Sequence, residues 1–286
     1  MTIYSISVIT RTGFPYYHKD IRDLPEGIKL YQRFFDFTEI ENTPYNPNGT
    51  AFELNAGLVS ALFGFAKNLN KEIRTLEFKS VKRENDEEFL EEKKKYKGHV
   101  LITAQTETYL LHKSVKAKID LIYNSIISHK IPLESAERIN EDEEKKIIDI
   151  LTDASARNRV NNHQKDIQIQ SEKLLTETGK YGLFNIVIAS FDLSPIAVFG
   201  EKYTFKEIEV ILRNMGDIPN IRPMEWEHRQ SFYKDDQLWV YLINSAIGVT
   251  VDGLFEPYFY LLFTDFESYL GEFPAKLTNG FNYILG

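Results

Sequence analysis

Few residue constellations in this chain have the types and spacing that chemistry needs. A phosphate-cradling loop of the form G-x-x-x-x-G-K-[ST] can only centre on Gly179-Lys180, but position 174 is leucine and Tyr181 stands where a metal-binding hydroxyl belongs. Gly57, Ser60 and Gly64 suggest a nucleophile elbow, yet G-x-S-x-G spacing is absent and no sharp turn is encoded there. His18, His99, His112, His129, His163 and His228 are scattered outside any H-E-x-x-H pattern, which favours surface or capping roles over a metal site. Glu141 to Glu144 and Asp235-Asp236 lack the D-x-[DN]-x-[DN]-G calcium-loop pattern, and the first group reads as the opening turn of a helix. Phe34, Phe35 and Phe37 form a candidate docking patch, with folding back onto the domain as the alternative. Trp226 and Trp239 divide in the same way, core packing being favoured. This reading assigns no catalytic residue, metal ligand or cofactor.

Composition narrows the partner class. The 286 residues include 43% hydrophobic and 27% charged side chains, with 16 Tyr and 20 Phe, the profile of a folded protein rich in aromatic packing. A formal net charge of −8 disfavours both the phosphate-neutralising surface of a nucleic-acid binder and docking on acidic lipid, which leaves a protein partner. Zero cysteines exclude disulfides and thiolate sites and fit a reducing compartment. With no apolar run of membrane-spanning length and a strand pattern directly after Met1, the chain reads as cytoplasmic, without a signal peptide. Asn48-Gly49-Thr50 spells a glycosylation acceptor, which carries little meaning in that setting.

The elements that would position these residues follow from periodicity. Residues 3 to 10 alternate Ile6 and Val8 with polar neighbours, and Gly13 permits reversal into a second strand. Residues 20 to 50, punctuated by Pro25, Pro44, Pro47 and Gly49, read as an inserted loop around the aromatic stretch Tyr31 to Phe37. Phe52 to Asn70 reads as a buried helix whose small residues Gly57, Ser60, Ala61 and Gly64 let its backbone lie against a sheet. Strands are expected at 73–82, 87–96 and 99–104, the second carrying mixed charge from Glu91 to Lys95 that suits an edge. Thr106 is read as capping a helix with Val115, Ile119, Ile122 and Ile126 on one stripe, ended by Pro132. Asn140 and Glu143 open the next helix, with Ile147, Ile150 and Leu151 inward.

Residues 155–179 read as a polar linker of helical character, since Val160, Ile167 and Leu174 make too thin a stripe for a core. The second half then repeats the order: a strand pair around Asp192 to Pro195, a helix capped by Thr204 and Glu207, strands at 239–243 and 258–263, and a final helix capped by Thr264 and Glu267 with a kink at Pro274. Residues 217–236 fit no expected strand well.

Ala-Gly-Leu-Val-Ser-Ala-Leu-Phe-Gly-Phe-Ala at 56 to 66, followed by Glu-Ile-Arg-Thr-Leu-Glu-Phe at 72 to 78, is similar to a helix and strand of archaeal longin-type proteins, and the order hairpin, helix, three strands, helices resembles the longin fold of the longin and roadblock superfamily. The insertion at 20–50 departs from a minimal longin domain. The resemblance implies an α/β (α+β) protein of two longin-like units, each a mainly antiparallel sheet of about five strands with helices on its faces. The units would be residues 1–154 and 180–286, the second longin-like or roadblock-like, with 155–179 between them. It further implies a non-enzymatic scaffold that binds and regulates small Ras-like GTPases or pairs with another longin or roadblock protein. The alternative is a structural subunit of a homo- or hetero-oligomeric complex, a homodimer included, with no GTPase role.

Overall fold

The computed structural model describes residues 2–10, 13–37, 60–62, 64, 67, 100–268 and 270–286, the side chain of Glu134 apart. Contacts divide the chain into one compact unit, Met1–Phe37 with Gly98–Gly286, and a second, Thr38–Lys97. The expected boundaries near 154 and 180 therefore fall inside the first unit. The strands expected at 73–82 and 87–96, the sequence 72–78, Gly57 and the acceptor at 48–50 lie outside the described residues.

Among the described residues the architecture is α+β, with two antiparallel sheets. In the first, β1 (Ile3–Thr10), β2 (Pro15–Asp20), β3 (Leu30–Asp36) and β4 (Val100–Glu107) are ordered β2-β1-β4-β3. The hairpin at Gly13 forms as its spacing predicts, and Gly13 adopts a φ of 85°. Register places Val8, Ile102 and Phe35 in one row and Ile6, Ala104 and Arg33 in the next, so side chains of one parity share the inner face. Helix α1 (His112–Ser125) provides Val115, Ile119 and Ile122, all fully buried. Phe35 and Phe37 stack on its His112 and Tyr123 with ring centroids 5.9 and 4.2 Å apart.

Two expectations change here. Residues 30–36 are a strand, not loop, and Thr106 is a buried strand residue whose hydroxyl donates to the Glu107 carbonyl rather than a helix cap. The helix begins six residues later.

Helix α2 (Glu141–Leu151) starts with the full capping box of Asn140 and Glu143 and buries Ile147, Ile150 and Leu151. The segment 155–179 is not a solvated linker. Helices α3 (Ala154–Asn162) and α4 (Gln164–Thr178) bury Ala156, Val160, Ile167, Ser171, Leu174 and Thr178. Alanine, serine and threonine complete the stripe without bulk, which lets these helices lie against the second sheet.

That sheet comprises β5 (Leu183–Ala189), β6 (Pro195–Phe199), β7 (Trp226–Tyr233), β8 (Asp236–Val251) and β9 (Leu254–Asp265), in the order β6-β5-β9-β8-β7. Ile186, Ile188, Tyr258, Tyr260 and Leu262 form one core with α3, α4 and α6 (Phe273–Leu285). Helix α5 (Phe205–Arg213) opens with the expected Thr204 and Glu207 box. The long β8–β9 hairpin turns on Asp252-Gly253, both at positive φ. It bends at a bulge between Asn244 and Gly248, where a β-carbon on Gly248 would sit 1.9 Å from the Glu256 carbonyl oxygen. Thr264 lies within β9, one residue before its end, instead of capping a helix, and Pro274 lies in the first turn of α6, where its missing N–H costs nothing and no kink follows. Among the described residues no helix is long and apolar enough to cross a membrane.

In the second unit, residues 60–62, 64 and 67 are helical. Ser60, Ala61 and Gly64 are exposed. The close packing expected of that small-residue face is absent at these described positions, because the face they occupy is turned to solvent.

Candidate functional site

Of the three aromatic residues expected to dock a partner, only Phe34 is available. It is 60% exposed, whereas Phe35 and Phe37 are 4% and 1% exposed because alternation along β3 turns them onto α1. The inward row also holds Arg33, whose guanidinium donates to the Thr106 hydroxyl at 2.8 Å and the Leu110 carbonyl at 2.7 Å. Burial lowers the Arg33 pKa from its ordinary value.

A more extensive surface lies on β7, the strand whose sequence gave no clear pattern. Tyr233 pairs with Asp236 across a tight turn, so Tyr233, Ser231, Arg229 and Glu227 bond to β8 while Phe232, Gln230, His228 and Trp226 direct N–H and C=O groups away from the sheet. The Phe232 carbonyl accepts from the Asn214 side chain at 2.9 Å, as this alternation requires. Nearer the start of the strand, the His228 carbonyl accepts, among the described residues, from the guanidinium of Arg229 at 3.2 Å. Trp226 to His228 are exposed.

One face of β7 continues an aromatic bank. Cross-strand register sets His228 opposite Tyr241 and Gln230 opposite Trp239. His228 lies 5.0 Å from Trp239 and 5.6 Å from Tyr241 between ring centroids, Trp226 lies 5.6 Å from Tyr241, and Trp239 stacks on Phe266 at 5.1 Å. Helix α6 covers β8 and β9 through Phe281 on Tyr260 and Asn282 on the Ser245 carbonyl. It stops short of β7, so Trp226 remains 43% exposed and Phe266 38%. The opposite face is closed at its far end by α5, with Ser231 donating to the Ile211 carbonyl and Tyr233 to Glu207. Glu227 and Arg229 share that face, 4.0 Å apart and partly exposed.

A second constellation is sealed inside the first unit. Lys118 of α1, fully buried, donates to Asp153 at the α2–α3 junction at 2.5 Å and to Asp192 in the β5–β6 turn at 2.6 Å. Asp192 also accepts from the Ser190 hydroxyl and the Ser194 N–H, both at 2.9 Å. Burial disfavours the Lys118 ammonium, but the two carboxylates outweigh it and raise its pKa. Burial, then Asp192, push Asp153 up to about 6. Asp192 moves oppositely, because Lys118 and Ser194 overcome its burial and bring it to about 2. Glu256 of β9, felt by all three, is pushed up to about 7, chiefly by burial, and its Oε1 has no hydrogen-bond partner among the described residues.

Nearby, Glu107 accepts from Arg213 at 2.6 and 2.8 Å and from the Tyr4 hydroxyl. These groups tie the first sheet and α1 to α5 and the β5–β6 turn. With Lys118 and Asp192 at 0% exposure, no substrate can reach them, and the arrangement acts as a lock between layers. Sequence gives no signal for it, since its members lie in four distant segments.

The other sequence candidates stay apart. Gly179–Tyr181 is a single 3-10 turn, Glu141 to Glu144 occupy the first turn of α2, and among the described residues no three His, Asp or Glu side chains are placed to hold a metal ion. No protein-family model matches the chain, and no curated protein matches it.

Proposed function

We propose that this chain is a non-enzymatic scaffold that binds a partner protein along β7, the outer strand of the second sheet among the described residues. The observation that carries this reading is the juxtaposition at residues 226 to 230 of outward-directed backbone groups with an exposed tryptophan beside His228. Main-chain pairing along such an edge supplies affinity, while the aromatic bank supplies selectivity.

The partner class comes from the resemblance at 56 to 66 and 72 to 78: a small Ras-like GTPase, or another longin or roadblock protein. The second sheet supports a longin-like reading, because its hairpin β5–β6, helix α5, three strands β7 to β9 and helix α6 follow the element order that carries the resemblance in the first half. Regulation would then consist of unequal affinity for the nucleotide-bound and nucleotide-free states of the GTPase.

The test uses purified small GTPases encoded in the same genome, with binding and nucleotide release measured in both nucleotide states. The reading predicts binding that changes with nucleotide state and is lost in Gln230→Pro, which removes an outward N–H without breaking the β7–β8 ladder. Binding insensitive to that substitution would remove β7 as the docking element. Failure of every GTPase to bind would leave the alternative, a structural subunit of an oligomer.

A further inference from the structure

We infer that β7 pairs antiparallel with β7 of a second copy of this chain, about a two-fold axis passing through His228. This inference rests on the reading of β7 as a docking edge and names a second copy as its occupant in the chain alone, one that a GTPase binding the same edge displaces.

Three features select this pairing. Residues 226, 228 and 230 direct their backbone groups outward. An axis at His228 therefore sets Trp226 against Gln230 of the other copy and His228 against itself, all in hydrogen-bonded positions.

On the opposite face the same axis sets Glu227 against Arg229 of the other copy, twice by symmetry. Within one chain these two side chains stand only 4.0 Å apart at the limit of an ion pair, and both keep solvent contact, with 49% and 33% of their side-chain surface accessible. The Arg229 guanidinium that covers the His228 carbonyl would turn to the facing carboxylate and release that carbonyl to the new ladder.

Neighbouring registers are worse. An axis at Arg229 opposes two guanidiniums and requires the Phe232 carbonyl, which Asn214 already occupies. An axis at Glu227 opposes two carboxylates. Like charges directly opposite each other disfavour a pairing, and opposite charges favour it. The aromatic bank of each copy meets across the axis, with Trp226 next to the facing His228, so apolar surface left open beyond α6 is covered.

The experiment is sedimentation velocity on the full chain over a wide concentration range, with Glu227→Arg, Arg229→Glu and the double exchange. The inference expects a concentration-dependent dimer, a dissociation constant raised about tenfold in either single variant, and recovery in the double variant. Because the chain has no cysteine, His228→Cys provides a separate reading, and mild oxidation should link it into a disulfide dimer, since facing residues in a hydrogen-bonded antiparallel pair sit within disulfide reach. Phe232→Cys, off the axis, should stay unlinked. A wild-type chain that is monomeric throughout, or a dimer indifferent to charge reversal, would overturn the inference. Should the chain be monomeric while Gln230→Pro still abolishes GTPase binding, the docking edge stands and only its second-copy occupant fails.

Discussion

Replacing Glu256 with glutamine should make the protein progressively more stable than wild type as pH rises from about 4.5 to about 7, the interval between the ordinary and the folded-state pKa of this carboxyl. Glu256 lies on β9 with 2% of its surface exposed, and its Oε1 has no hydrogen-bond partner among the described residues. Its folded-state pKa is raised, so the folded chain holds the proton more tightly than the unfolded chain does. The stability that this proton confers is complete below the unfolded value and disappears as pH climbs through the folded value. The span from 4.5 to about 7 corresponds to about 3 kcal/mol at roughly 1.4 kcal/mol per pH unit.

Glutamine occupies the same volume but cannot ionise. Any cost of seating its amide is independent of pH and shifts the whole curve equally. The assay is urea unfolding followed by tryptophan fluorescence at pH 4.5, 6 and 8, for wild type and variant. The difference in unfolding free energy should move by about 2–3 kcal/mol in favour of the variant across that range, with nearly all of the change complete by pH 8. A difference that stays flat with pH would show that Glu256 is not held protonated by burial, and would refute the description of the buried centre.

Lys118→Met should cost about 3–5 kcal/mol at pH 8, because it strands the carboxylates of Asp153 and Asp192 in the interior. Its deficit in urea unfolding should shrink at pH 5, where those carboxylates can take up protons. On β3, Phe35→Ala should lose about 3–5 kcal/mol while Phe34→Ala stays within about 0.5 kcal/mol, thermal or chemical unfolding deciding between core and surface roles. Equal losses would overturn the assigned parity of that strand.

The sequence announces those elements whose signals are local. Two capping boxes, at Asn140 with Glu143 and Thr204 with Glu207, form as written, as does the Val115, Ile119, Ile122 stripe. The same logic misreads Thr106 and Thr264, because a threonine hydroxyl at the end of a strand can satisfy a neighbouring carbonyl as readily as it caps a helix. Strand β3 is hidden by Arg33 on its inward row, a charge tolerated there because Thr106 and Leu110 meet its donors. Helices α3 and α4 are hidden because alanine, serine and threonine fill half of their buried stripe. Strand β7 has no alternation to detect, since an edge draws its stability from pairing with β8 rather than from its own pattern. The aromatic bank and the Lys118 centre depend on register between distant segments, which no spacing along the chain reveals.

Hydrogen–deuterium exchange at Trp226, His228 and Gln230 tests most directly whether β7 is a docking edge. In dilute chain alone these outward amides should exchange rapidly, while those of Glu227 and Arg229, bonded to β8, exchange slowly. Raising the chain concentration, or adding a GTPase that binds, should protect the outward set and leave the inward set unchanged. Outward amides that remain unprotected at every concentration and with every bound partner would contradict the account.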